Sequence, residues 1–259
     1  MRTKPFLIIQ LRPEDAAADS EFGAMLRYGR LREDEVVRAR IGHTGLPEIV
    51  LDEYAAIIVG GSPFDMSTAE AAKSAMQKKI ESGFMALFER LAAADFPFLG
   101  ACSGNSLLGR FCGAEISRRY AEPVGGADVT LTEAGKDDPL LEGFPDTFRV
   151  LLGHKEACDA TPPSTVLLAS SAACPVQMFR LGSNIYATQF HPEGDLEGFK
   201  VRIEVYKNHG YFPPETADDL IAAVATEDTP FAKQILERFV TRYRGAVAPT
   251  ASRAGHRVM

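Results

Sequence analysis

The sequence predicts a doubly wound α/β domain, with a mainly parallel sheet covered on both faces and a mixed-strand extension. Three observations carry this. Short, continuous apolar runs at 5–11, 54–59 and 96–101 are of the kind buried on both sides of a parallel sheet. Helix-period segments lie between them, which is β-α-β order. From 127 to 186 the strand-like runs come close together, with no helical pattern between them.

In chain order, 5–11 reads as the first strand. A polar, charge-mixed stretch follows over 12–32, with helical character at 22–28. Residues 35–41 alternate Val and Arg, which suits a strand near a sheet edge. The strand 54–59 is stopped by Gly60-Gly61. The longest helical pattern spans 69–94, where Ile80, Phe84, Leu87, Phe88 and Leu91 recur at helical spacing. The strand 96–101 precedes a helix over 106–112, ended by Gly113. Short strands are expected at 127–132, 148–152, 166–170, 176–180 and 184–188, separated by turn signals such as Pro162-Pro163 and Gly182-Ser183. Helices return at 196–208, 216–226 and 230–243. Residues 1–244 read as a single domain, and the small, polar, basic tail 245–259 is expected to fray.

Composition narrows the function. The chain has 259 residues, 46% hydrophobic and 24% charged, as in soluble globular proteins. A net charge of -7 gives no general footprint for nucleic acid. No apolar run approaches the roughly 20 residues that span a bilayer. The apolar stretch near the N-terminus is too short for a signal peptide. Cys102, Cys112, Cys158 and Cys174 have neither C-x-x-C nor zinc-finger spacing, so free thiols in a reduced cytoplasmic compartment are expected, with no metal and no cofactor.

The segment from Phe96 to Gly109 carries the most chemistry. It places Cys102 at the turn between a buried strand and a helix, with Gly100 and Gly104 permitting a tight turn. This is the layout of a nucleophile elbow with Cys in place of Ser. A thiol there faces a helix N-terminus, which favours the thiolate. The plainer alternative is a small buried apolar residue, a common fate of free cysteine. A nucleophile needs a base, and the best candidate lies in Gln189-Phe-His-Pro-Glu193. His191 and Glu193 are two residues apart across the stiff Pro192, so the carboxylate can fix the imidazole tautomer. His154, in Gly-His-Lys-Glu156, is the competing base, although its neighbours read as a solvated turn. Gly60-Gly61 ends a strand where backbone amides could receive a developing oxyanion.

These three segments, in this order, resemble the class I (triad) glutamine amidotransferases over roughly residues 5–243, and look most like the stand-alone GMP-synthetase-like branch. Gly100-Ala-Cys-Ser-Gly104 matches the family elbow, Gln189 to Glu193 its histidine segment, and Gly60-Gly61 its oxyanion turn. The resemblance implies a flavodoxin-like fold and a mechanism. Cys102 attacks the glutamine side-chain amide, His191 acts as base and then acid, and Glu193 orients His191. The amides of Gly61 and Ser103 hold the oxyanion, with Gly60, Gly104, Ser106 and Gln189 around the substrate. It further implies a glutamine or γ-glutamyl small-molecule substrate and a separate synthetase subunit that accepts the ammonia. A homo-oligomer, and no membrane partner, complete the expected associations. Two positions depart from the family. Ser106 stands where relatives carry a Gln that holds the substrate glutamine, and Ser103 where they carry a bulky apolar residue. Three functions stay open: a glutaminase, a γ-glutamyl peptide or amide hydrolase on the same triad, and a catalytically weak binding or regulatory module.

Overall fold

The computed structural model describes residues 3–209 and 211–245. The chain runs β1 (Phe6–Gln10), α1 (Asp15–Tyr28), β2 (Val36–Arg40), β3 (Ile57–Val59), α2 (Ala75–Ala94), β4 (Phe98–Ala101) and α3 (Ser103–Phe111). It continues with β5 (Ile116–Ser117), β6 (Glu122–Leu131), α4 (Glu133–Lys136), β7 (Thr147–His154), β8 (Ala157–Cys158), β9 (Thr165–Ser170), β10 (Met178–Leu181) and β11 (Ile185–Thr188). Helices α5 (Leu196–Tyr206), α6 (Ala217–Ala225) and α7 (Pro230–Tyr243) follow.

One nine-stranded sheet has the order β2-β1-β3-β4-β11-β10-β9-β6-β7. The five strands from β2 to β11 are parallel, and the rest pair antiparallel, so the expected mixed extension is present. Strand periodicity sorts the apolar side chains to two faces. Phe6, Ile8, Ile58, Leu99 and Tyr186 join α1 and α7 in one core. Their neighbours Leu7, Ile9, Ile57, Val59, Phe98, Ile185 and Ala187 join α2 and α3 in the other. Phe88 of α2 meets Phe98 edge-on at 5.3 Å, and burying such a ring contributes about 1.5–3 kcal/mol.

Several boundaries differ from the sequence expectation. Helix α1 begins at Asp15, earlier than the pattern shows, since its first turns present only Ala17, Ala18 and Glu21 to the interior and no large apolar side chain marks the face. Helix α2 begins at Ala75, where the Ser74 hydroxyl caps it by accepting from Gln77 N, and Glu70–Ala72 forms a separate short turn. Helix α3 begins directly after Cys102, and β6 begins at Glu122. The two-residue strands β5 and β8 pair in a second small sheet and are too short to read from pattern. The expected frayed tail falls, after Gly245, outside the described residues.

The fold brings four chain turns to one edge. Arg12 follows β1, Gly61 follows β3, Cys102 follows β4, and Gln189 follows β11, all at the carboxyl ends of adjacent parallel strands. Open α/β sheets bind ligands there.

Candidate active site

Cys102 has φ 53° and ψ -97°, a conformation that costs a non-glycine residue on the order of 1–3 kcal/mol. Both ends of the residue are held. Its N–H donates to Thr188 O at 2.8 Å, and its carbonyl accepts from Asn105 N at 2.8 Å. Helix α3 can start this close to β4 because a Cβ on Gly100 would stand 2.9 Å from the Gly104 Cα. The half-buried thiol thus projects into a cavity at the sheet edge. Arg12, Ser62, Phe64, Ser103, Ser106 and Gln189 line that cavity, together with His191, Arg202, Tyr206 and Tyr211.

The candidate base, His191, stands past the exit of the neighbouring strand β11. Gln189 N donates to Gln177 O at 2.8 Å and His191 N to Leu151 O at 2.9 Å, so the segment after β11 is pinned at both residues. His191 Nδ1 donates to Glu193 Oε1 at 2.8 Å, and Arg202 donates to the same oxygen at 2.7 Å. Phe199 meets the imidazole edge-on at 5.6 Å. This fixes the tautomer with Nε2 as the free ring nitrogen.

Burial sets the electrostatics of the site. Burial pushes the Cys102 thiol up to about 12, against the opposing pull of Arg12 and Arg202. Burial thus works against the thiolate that the helix N-terminus favours. Burial also lowers His191 below the ordinary imidazole value, although Glu193 acts in the opposite direction. Burial would raise Glu193, but His191 and Arg202 outweigh it and hold the carboxyl below the usual carboxylate range. All three shifts favour the uncharged thiol and imidazole beside a charged carboxylate.

The other expected residues divide. Ser103, Ser106 and Gln189 line the cavity, and both polar atoms of the buried Gln189 side chain have no partner among the described residues. Gly60 and Gly104 lie behind it. Gly60 N is in the ladder to Ile9 O, and its missing Cβ leaves room for the Glu21 carboxylate, while Gly104 faces Val59. The Gly61 amide, expected to face an oxyanion, instead donates to Glu21 Oε1 at 3.1 Å. The reason is the wholly buried Glu21 carboxylate, which α1 inserts beneath the Gly60-Gly61 turn. His154 also lines the cavity, but both ring nitrogens are engaged. Nε2 bonds Glu122 Oε2 at 3.0 Å and Nδ1 bonds Glu156 O at 3.0 Å. Glu156 in turn accepts from Met66 N and Ser67 N, holding the loop over the site.

Sequence reasoning missed a buried ionic chain. Arg12 Nε donates to Glu21 Oε1 at 3.0 Å, and Arg202 reaches both Glu21 at 3.8 Å and Glu193 at 2.7 Å. The position of Arg12, two residues past a buried parallel strand, was the available signal, since ligands bind at that level. Glu21 and Arg202 sit on amphipathic helices and carried no such mark.

The family model for glutamine amidotransferase class-I matches residues 24–207. Among curated proteins, the chain is 29% identical over 153 residues to a glutamine amidotransferase-like protein, YfeJ, of Salmonella typhimurium, covering 59% of this chain and 62% of that one. It is 29% identical over 192 residues to a GMP synthase (glutamine-hydrolyzing) of Streptomyces avermitilis, covering 70% of this chain and 33% of the relative. Gamma-glutamyl peptidase 3 of Arabidopsis thaliana is 30% identical over 155 residues, 57% of each chain. The chain thus spans less than two thirds of the length of the first relatives it matches. A glutamine amidotransferase from Thermotoga maritima shares the fold with a TM-score of 0.72 at 21% identity, covering 92% of this chain and 99% of that one. One from Methylobacillus flagellatus does so at 0.70 and 18%, covering 98% and 100%. A cysteine on a strained strand-to-helix turn, a histidine–glutamate pair just past the adjoining strand, and a family match across most of the chain lead to one assignment: this protein belongs to the class I glutamine amidotransferases.

Proposed function

We propose that the protein hydrolyses the side-chain amide of glutamine, releasing glutamate and ammonia through a thioester on Cys102. The observation that carries this is the His191–Glu193 pair, held at 2.8 Å, opening onto the same cavity as the Cys102 elbow. In this reading His191 Nε2 takes the thiol proton as sulfur attacks the amide carbon. The carbonyl π pair moves onto oxygen, and the tetrahedral adduct collapses as the C–N bond breaks. His191 returns the proton to the leaving ammonia. Water, deprotonated by the same imidazole, then cleaves the thioester and restores the thiol. The unpartnered Gln189 amide offers both a donor and an acceptor to a polar substrate. Relatives named as GMP synthase subunits support an acceptor for the ammonia on a separate synthetase chain.

A second reading, hydrolysis of a larger γ-glutamyl amide, draws on Ser106 and on the similarity to a gamma-glutamyl peptidase. The short Ser106 side chain leaves room in a cavity that extends to Phe64, Tyr211 and Phe212. Ammonia and glutamate release from glutamine, measured beside a panel of γ-glutamyl amides, decides between them. Ser106→Gln should lower KM for glutamine in the first reading and impair turnover of the larger amides in the second. Absence of turnover on every γ-glutamyl amide, with or without a synthetase chain, would leave only the binding module.

A further inference from the structure

Amide attack by a thiol places negative charge on the former carbonyl oxygen, and a site that accelerates the step aims at least two donors at that position. One is available. Ser103 lines the cavity at the start of α3, where the first N–H groups of a helix have no intrahelical partner. The other expected donor is occupied, because Gly61 N–H is bonded to the Glu21 carboxylate.

The guanidinium of Arg12 occupies the ground this leaves. A Cβ built on Gly61 would collide with an Arg12 terminal nitrogen and stand 2.9 Å from His191 Cε1. The Arg12 fork and the imidazole therefore converge on the same point above Gly61, on the cavity side. Arg12 is 5% exposed, and its remaining freedom is small. Nε is tied to Glu21 at 3.0 Å, and the guanidinium carbon lies 5.4 Å from the centroid of the Tyr206 ring. A guanidinium anchored through Nε presents its terminal N–H groups as a rigid fork.

We propose that Arg12 is a catalytic residue of this site, donating from its terminal N–H groups to the oxyanion formed on Cys102, together with the Ser103 amide. This rests on the amide-hydrolase reading above. Glu21 acts through two other groups: it anchors Arg12 and turns the Gly61 amide away from the cavity. The same positive charge opposes the burial that raises the Cys102 thiol, so it also favours sulfur as it loses its proton. No proton leaves Arg12 in this role. The carbonyl π pair comes to rest on oxygen between the fork and the Ser103 amide, and returns when the C–N bond breaks.

The test is steady-state kinetics on L-glutamine and a γ-glutamyl anilide. Three proteins are compared: wild type, Glu21→Gln, and the charge-balanced Arg12→Met/Glu21→Gln, each checked for folding by circular dichroism and thermal melting. Relative to Glu21→Gln, the double variant should lose about 10²–10³-fold in kcat with KM nearly unchanged. The inhibition constant of glutamate γ-semialdehyde, whose thiohemiacetal carries the same oxygen, should rise by a comparable factor. Should the double variant not fold, Arg12→Lys carries the test: it keeps the buried charge without the fork, and kcat should fall at least about tenfold. A raised KM with unchanged kcat would make Arg12 an anchor for the substrate's α-carboxylate and overturn the proposal. Wild-type turnover that survives in the variants overturns the role of Arg12 alone. A wild type without turnover on either amide overturns the hydrolase reading and this inference with it.

Discussion

His191 and Glu193 are joined through Nδ1 and Oε1 at 2.8 Å, and both are buried. The bond commits the ring to one tautomer before any substrate arrives. With the imidazole lowered and the thiol pushed up to about 12, the resting ion pair is disfavoured, and the proton is expected to leave Cys102 as sulfur attacks the substrate. The profile of kcat/KM against pH should therefore show a single acid limb with its midpoint below about 6.5, the ordinary histidine value. It should stay level through the mildly alkaline range. A midpoint above about 7 would contradict a lowered imidazole.

The same group links stability to pH. A lowered His191 leaves the unfolded chain binding more protons below about 6.5, so stability falls as pH drops through that window. Glu193, lowered in the fold, contributes stability above about 4.3 that is lost on further acidification. Thermal melts of His191→Gln should be flatter than wild type between about pH 6.5 and 5. Parallel curves for the two proteins would show that His191 titrates in the fold as it does unfolded.

The backbone of Cys102 separates catalysis from stability. Cys102→Gly and Cys102→Ala should both abolish turnover. Glycine tolerates φ 53° without the Cβ penalty, so Cys102→Gly should melt about 2–4 °C above Cys102→Ala. Equal melting temperatures would indicate that the turn carries no strain.

Arg202 is the shared partner of two buried carboxylates, at 2.7 Å from Glu193 and 3.8 Å from Glu21. Arg202→Met removes the charge and keeps the bulk. It should cost about 3–5 kcal/mol of stability, because two buried anions lose their common cation. Chemical denaturation measures this directly, and a change under about 1 kcal/mol would refute a structural role for the ionic chain.

Gly61→Ala tests the close approach at the turn. Its methyl group would meet His191 Cε1 at 2.9 Å and the Arg12 fork. It should reduce kcat by at least about tenfold, since small misplacements of positioned groups are costly. Wild-type kinetics in this variant would mean that neither side chain acts where it stands.

The parts of the fold with strong local patterns were legible in the sequence. The apolar strands around Ile8, Ile58 and Leu99 announced a sheet buried on both faces, and the Cys102 turn and the Gln189–Glu193 segment marked two stretches that the fold brings to one cavity. Hidden features depended on distant partners. The start of α1 packs through Ala17 and Ala18, which give no periodic signal. The pairing of β5 with β8 rests on two residues from each strand. The Glu21 carboxylate beneath Gly60 and Gly61 is a tertiary event between α1 and the β3 exit, and no spacing along the chain records it. The upward push on the Cys102 thiol likewise comes from the walls that bury it, which no spacing along the chain records.

Cys102 donates its backbone N–H to Thr188, and Gln189 donates its own to Gln177. Cys102 and Gln189, the residue that leads into the His191 segment, are therefore pinned on opposite sides of β11, one from the end of β4 and the other to the residue before β10. Separating them requires breaking β4 from β11, among the last pairings expected to yield to denaturant. Catalytic activity in such a molecule serves as a built-in gauge of global unfolding: in a denaturant titration, turnover and the loss of far-ultraviolet dichroism should fall along one curve.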